Sequence, residues 1–413
     1  MHSLKKYLSL LILLPVFKVN AQKNTLEYYV SRALSNSPLL KDYNSQVQIG
    51  GIDSTLIRAS YKPQVTGTSN NYYAPVISGW GYDNAITNGA NVNALVGVNK
   101  ALVSRKNLET QFESIRLNTA GIKNTAEIAE QDIKRTVAAQ YITAFGDWQQ
   151  LSFANEVYSL LQKEDTILKR LTQNNIYKQT DYLTFLVTLQ QQKLAMKQAA
   201  IQYKSDFATL LYLCGITDTT ENSLKEPSIS LNSLPKPESS VFFMQYTLDS
   251  LKNINSRKVI DYSYKTKANI FADGGYSSSL AYLPYKNFGA GVGLAITLPI
   301  YDGKQRKMKY NKIDIAERTR QSYSTFFEQQ YHLQIEQLSE QLKGTEELIN
   351  EINDQVKYSE GLINAHLQLL TTGDVRIADL VIALNNYLTA KNLLTQNRTN
   401  RWQIINQINY WSR

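Results

Sequence analysis

Asn175-Ile176-Tyr177-Lys178-Gln179-Thr180-Asp181 returns 198 residues later as Gly373-Asp374-Val375-Arg376-Ile377-Ala378-Asp379 (373 − 175 = 198). Each copy opens a helical stretch, 180–213 in the first case and 377–411 in the second. Few letters match, so the shared order of elements carries the argument. A duplicated unit of this size predicts a fold built from two similar halves.

Working outward, a long helical stretch precedes each copy, 104–174 and 304–372, and neither contains Pro. Ile133, Val137, Tyr141, Phe145 and Trp148 share one helical face of the first; Leu338, Leu342, Leu348, Ile352 and Val356 do so in the second. Some 70 residues at about 1.5 Å each make about 105 Å of helix, which calls for rods packed side by side. On the returning helices the apolar faces carry Leu183, Leu186, Leu194, Tyr203, Phe207 and Leu210, then Leu380, Leu384, Leu388, Leu393 and Ile404. Asn174-Asn175 and Thr371-Thr372-Gly373 mark the reversals. Gly373 suits the positive φ that ends a helix, and Asn175 is the next-best residue for it.

Strand pairs lie between the helical blocks. Phe288, Ala290, Val292, Leu294, Ile296, Leu298 and Ile300 alternate with small or polar residues. So do Ile270, Ala272, Tyr276, Leu280 and Tyr282, and Val92, Ala94, Val96 and Val98. A weaker partner runs from Pro63 to Val76. Period-two alternation fits strands crossing a bilayer around a wet lumen, and equally a soluble half-buried hairpin. Tyr72, Tyr73, Trp80, Tyr82, Tyr276, Tyr282, Tyr285 and Phe288 gather at the turn ends, as an interfacial girdle does, and favour the bilayer. Four strands are too few to close a barrel, which takes about eight. Open edges have no amide partners in lipid, so a membrane reading requires several chains to share one barrel.

Residues 1–21 read as a secretory signal: Lys5 and Lys6, the apolar run Leu8 to Phe17, and Val19-Asn20-Ala21 before Gln22. No later stretch is long and apolar enough for a spanning helix. Cys214 is alone and forms no intrachain disulfide. The 44 Lys and Arg against 35 Asp and Glu are scattered along the chain, which gives no footing to a nucleic-acid partner.

Taken in order, these features resemble the TolC-like outer-membrane efflux family over nearly all of the chain after the signal. The local matches are Leu298-Pro299-Ile300-Tyr301-Asp302-Gly303 at a strand-to-helix junction and Gly373 to Asp379 with Leu380 and Ala390-Lys391-Asn392 at a helix reversal. A third is Leu26 through Asn36-Ser37-Pro38-Leu39 at the start. The resemblance implies a mainly α chain with a transmembrane β-barrel portion. Duplicated long-helix hairpins form a trimeric periplasmic α-barrel, and four strands per chain join a shared 12-stranded outer-membrane barrel. It implies a homotrimer set in outer-membrane lipid, docking with a periplasmic adaptor (membrane fusion) protein and an inner-membrane RND or ABC transporter. The function implied is the exit duct of a tripartite efflux or type I secretion system. The expected organisation is 1–21 signal, 22–216 first repeat, 217–241 linker around the outside, and 242–413 second repeat.

In that family acidic residues and contacts between the reversals narrow the inner end of the tunnel. Asp379 matches one such acid and Asp181 the acid of the first-repeat reversal, so Asp181, Asp374, Arg376 and Asp379 are the candidate constriction residues. Ile382, Leu370 and Val375 depart from the pattern, standing where a second acid, a gate Tyr and a gate Arg occur. A cation-selective ring follows electrostatic logic. Equally, Asp181 and Asp379 suit the positive N-terminal ends of their helices.

Other chemistries find little support. Gly289-Ala290-Gly291-Val292-Gly293 has Leu294 where a dinucleotide loop needs its third glycine, and lies within a strand pattern. His332 and His366 lack ligand partners at metal spacing. No nucleophile elbow or phosphate loop occurs, so neither a catalytic residue nor a cofactor is expected. A periplasmic coiled-coil adaptor or scaffold is the alternative, and it leaves two aromatic-ended strand pairs unexplained.

Overall fold

The computed structural model describes residues 24–83, 89–219, 223–234, 240–280 and 283–412. The expected signal and Tyr282 lie outside the described residues. In chain order the elements are α1 (Leu26–Asn36), α2 (Pro38–Ser60), β1 (Gln64–Tyr73), β2 (Ala90–Leu102), α3 (Arg105–Gln173) and α4 (Gln179–Cys214). Then follow α5 (Val241–Ser263), β3 (Lys267–Ser278), β4 (Phe288–Thr297), α6 (Gln305–Leu370) and α7 (Ile377–Tyr410). The order helix, strand, strand, long helix, shorter helix thus occurs twice. Its spacing is the one the motif gave: β4 starts 198 residues after β2 (288 − 90), and α7 starts 198 after α4 (377 − 179).

The fold has two compact units, and each draws on both repeats. One, made of Ile133–Leu231 and Gln341–Gln407 with α1, is helical. Val137, Tyr141, Ile142 and Phe145 of α3 pack there on Tyr203, Phe207 and Leu210 of α4 and on Trp402 of α7. The fully buried Tyr141 donates its hydroxyl to the carbonyls of Asn24 and Lys225, 2.8 and 2.7 Å away, which ties the segment after α4 to this core. Cys214 is buried beside it, and burial pushes its thiol up to about 12, so it behaves as an apolar side chain. Leu183, Leu194, Leu348 and Leu393, expected on the packed faces, are exposed. On α4 the exposed set Val187, Leu194 and Ile201 recurs every seven residues, a seam spacing that single-helix periodicity does not separate from a core stripe.

The other unit, Pro38–Asp132 and Asn232–Glu340 with the chain from Ile408 onward, holds the sheet. Its strands are all antiparallel, in the order β1-β2-β3-β4. Phe242 of α5 packs on Tyr410 and Trp411, each 4.8 Å between ring centres, and so anchors the last residues. Among the described helices none is long and apolar enough to cross a membrane.

Candidate functional site: sheet faces and helix reversals

Register assigns every strand residue to a face, because directly paired residues project to the same side. Val65 pairs with Val98, Val98 with Ala272, and Ala272 with Val292. Ile270 pairs with Leu294, Ala268 with Ile296, and Tyr276 with Phe288. One side is therefore apolar along β2, β3 and β4, and on β1 it carries Val65 and Tyr73 at the two ends with Gly67, Ser69 and Asn71 between them. It is uncovered: Val292 is 88% exposed and Ile296 64%. From Phe288 to Ile296 the face is about 27 Å long at about 3.4 Å per residue. The other side carries Gln64, Thr66, Thr68 and Asn70 of β1, Asn91, Asn93 and Asn99 of β2, Asn269 and Asp273 of β3, and the glycines of β4, with Leu95 and Phe271 as its large aliphatic and phenyl side chains and Ala101 and Ala295 as small apolar ones.

At the turn end of the apolar face, Tyr276 and Phe288 meet edge to face at 5.2 Å, and Tyr73 is exposed on the same side. Trp80 stands exposed in the turn beyond β1. Tyr72 pairs with Asn91 and so projects to the polar side, unlike Tyr73, Tyr276 and Phe288. Leu280 has φ 63 and lies beyond β3, so the alternation read through Leu280 and Tyr282 overruns the strand, which ends at Ser278.

The reversals repeat one hydrogen-bond pattern. Ile176 N–H donates to the Leu171 carbonyl and Asn175 N–H to that of Thr172, both 3.0 Å. Asp374 N–H donates to Leu369 and Gly373 N–H to Leu370, at 3.2 and 3.4 Å. This closes both helices around a left-handed residue, Asn175 at φ 60 and Gly373 at φ 84. Gly373 is needed for a second reason: a Cβ there would stand 2.9 Å from Ile176 Cγ2. The two reversals therefore touch. Tyr177, 8% exposed, reaches with its hydroxyl to the carbonyls of Val375 at 3.0 Å and Leu370 at 3.3 Å. Sequence reading passed over Tyr177 although it stands inside the repeated motif.

Leu370, Val375 and Ile377 are buried with Leu168 and Phe185 in one cluster, which accounts for apolar residues at two of the departing positions. Ile382 is exposed. Arg376 holds Asp379 in a two-pronged ion pair, Nε to Oδ2 at 2.8 Å and Nη2 to Oδ1 at 3.1 Å. Asp181 is partly exposed in the first turn of α4, and Asp374 is exposed. Among the described residues no group of three or more metal-ligating side chains occurs.

No protein-family model matches the chain, and no curated protein matches it in sequence. Solved structures do. The outer membrane protein VceC from Vibrio cholerae aligns at 12% identity and a TM-score of 0.73, over 94% of this chain and 96% of that one. The open state of the Neisseria gonorrhoeae MtrE outer membrane channel aligns at 13% identity and a TM-score of 0.73, over 94% and 88%. The Campylobacter jejuni CmeC outer membrane channel gives 13%, 0.72, 94% and 85%. The chain has the fold of an outer-membrane channel.

Within this fold one half-buried pair of carboxyls lies apart from sheet and reversals. Asp147 of α3 lies within hydrogen-bonding reach of Asp206 of α4, and its Oδ2 is buried with no hydrogen-bond partner. Burial first, and then the Asp206 carboxylate, push Asp147 up to about 7. Burial works on Asp206 in the same sense, but hydrogen bonds from Asp147, Gln140 and Gln202 bring it below the ordinary range. Of the two carboxyls, Asp147 is therefore the one that holds a proton more readily. Folded, Asp147 keeps a proton that the unfolded chain releases near its ordinary 3.8. The stability this contributes is full below that value and lost as pH climbs toward about 7. Asp147→Asn makes the proton's presence permanent. The variant should melt several degrees (about 2–4 °C or more) above the parent at pH 8, with the gap closing toward pH 4. Thermal unfolding followed by circular dichroism across that range checks it.

Proposed function

We propose that the chain is a passive exit duct of the outer membrane, reaching into the periplasm, where three copies assemble. The observation that carries this reading is the sheet: an apolar face open on one side, a polar face on the other, and two edge strands. β1 and β4 each pair on one side only. A sheet that enters hydrocarbon has to satisfy those edges, and four strands do not curl into a closed barrel, which takes about eight. Three copies joined β4 to β1 supply twelve. The exposed seven-residue seam of Val187, Leu194 and Ile201 supports a neighbouring helix in the same assembly. The duct docks with a periplasmic adaptor and an inner-membrane RND or ABC transporter in a tripartite efflux or type I secretion system, and the pump chooses the cargo.

The reversals form the constriction, with Asp181, Asp374, Arg376 and Asp379 as its charged residues and Tyr177 holding the two reversals of one chain together. Pairing with Arg376 leaves Asp379 nearly neutral as a unit. Asp379→Ala therefore frees a guanidinium in every protomer and should widen the path and lower its preference for cations; Arg376→Ala should raise that preference. Planar-bilayer recording under a salt gradient measures both. Reversal potentials and conductances that stay at the parental value in both variants would remove this pair from the conduction path. Fractionation separates the duct from a coiled-coil adaptor or scaffold, since the duct sediments with outer membrane and needs detergent for release.

A further inference from the structure

The register brings all four strand-to-helix junctions to one end of the sheet: Gln64 is opposite Asn99, Leu102 opposite Ala268, and Lys267 opposite Thr297. Basic residues that look scattered along the chain meet there. Residues 56–64, 100–109, 257–267 and 297–309 hold 13 Lys and Arg against three Asp and Glu, an excess of ten, while the full sequence has an excess of nine (44 against 35). This end thus carries the whole positive balance of the protein. Two of the three acids pair within the collar, Glu109 with Arg105 and Asp261 with Arg306. The third, Asp302, accepts backbone N–H groups at the start of α6. Lys62, Lys100, Lys106, Lys267, Lys304 and Lys307 are exposed, and among the described residues none has an ion-pair partner.

The collar continues the apolar face. Lys100 closes it, following Val96 and Val98 on the same side and paired with Ile270. Leu298, Ile300 and Tyr301 are exposed in the junction itself, Ile300 at 92%. Lys265 sits over the Tyr262 ring at 4.4 Å and Lys309 over Tyr264 at 5.1 Å. Apolar stems below and ammonium groups above are what a lysine needs at a headgroup layer. At the opposite end the described turn residues carry only Asp83 and Lys286 as charges, so the two ends of the face differ in kind.

We propose that this collar binds anionic phospholipid headgroups of the leaflet on the helix side of the sheet, which for a duct is the periplasmic one. The proposal rests on the duct reading. It extends it by giving the chain a lipid preference that fixes its depth, one end held by aromatic rings and the other by lysines.

The test uses the full chain reconstituted into phosphatidylethanolamine vesicles containing a minority of phosphatidylglycerol, with spin-labelled phosphatidylglycerol or phosphatidylcholine as probe. The protein should immobilise the anionic probe about three- to tenfold over the zwitterionic one, and salt should reduce the ratio. Combining Lys62→Gln, Lys100→Gln, Lys304→Gln and Lys307→Gln should bring the ratio to near one. The same change at the exposed Lys163, Lys169, Lys178 and Lys197 of the helical unit should leave it alone. Equal immobilisation of both probes, or a preference that survives the collar variant, overturns the proposal while the duct stands. A collar variant that keeps its lipid preference and loses capture of an adaptor assigns these lysines to a protein partner and also overturns it. Failure of the chain to enter vesicles of any composition sinks the duct reading instead.

Discussion

Val292→Arg is expected to keep the protein out of the outer membrane. Val292 lies mid-strand in β4, 88% exposed, on the apolar side of a sheet whose four strands agree in register. A guanidinium at the middle of the hydrocarbon costs about 2–4 kcal/mol per copy. In an assembly of three identical chains the cost recurs at each copy, reaching about 6–12 kcal/mol, comparable with the whole stability of an ordinary domain. Thr68→Arg is the matched control, since Thr68 pairs with Leu95 on the polar side. It should leave assembly intact and change conduction only. The amount of heat-modifiable oligomer in outer-membrane fractions measures both. A soluble half-buried hairpin would give the opposite result, with Val292→Arg harmless.

Gly275→Val should break the sheet where the two repeats join. Gly275 has φ +152, and a Cβ there would collide with the Ala94 carbonyl oxygen and stand 3.0 Å from Leu95 Cα. Both obstacles are backbone of β2, which cannot move without losing its pairing with β3. Strain at such a φ costs about 1–3 kcal/mol before any clash, and a β-branched residue adds to it. We expect loss of assembled protein with the helical far-ultraviolet signal largely retained, because the helical unit has its own cores. Gly289→Ala, whose Cβ meets nothing, should be silent in the same assay.

The extents of the long helices and of their returns were legible to within two residues, because Pro-free amphipathic runs bounded by Asn175, Gly215 and Gly373 leave little choice of length. Strand alternation was legible too, though half of β1 is Thr, Ser and Asn, and it was the pairing with β2 that put Val65 and Tyr73 on the apolar side. What could not be read was which apolar residues a single chain buries. Leu194 and Leu348 have the same helical phase as core residues, and only packing shows them facing outward. The reversals were found by turn chemistry, yet the Arg376–Asp379 pair and the Tyr177 bridge depend on side-chain reach, which spacing alone does not give. Asp147 and Asp206 are far apart in sequence and unremarkable within their helices. The basic collar was invisible for the same reason, since its four segments meet only through the register of the sheet.

Whether β4 of one copy pairs with β1 of the next is the most direct test. Cys214 is buried, so engineered cysteines report alone. Ser69→Cys or Asn71→Cys in β1, combined with Ala290→Cys or Val292→Cys in β4, places both thiols on one face. Oxidation of native outer membranes should then yield covalent dimers and trimers and no larger ladder, while either single variant yields covalent dimers at most. A chain that stays monomeric under oxidation in every pairing, and remains in the soluble fraction, would contradict the account.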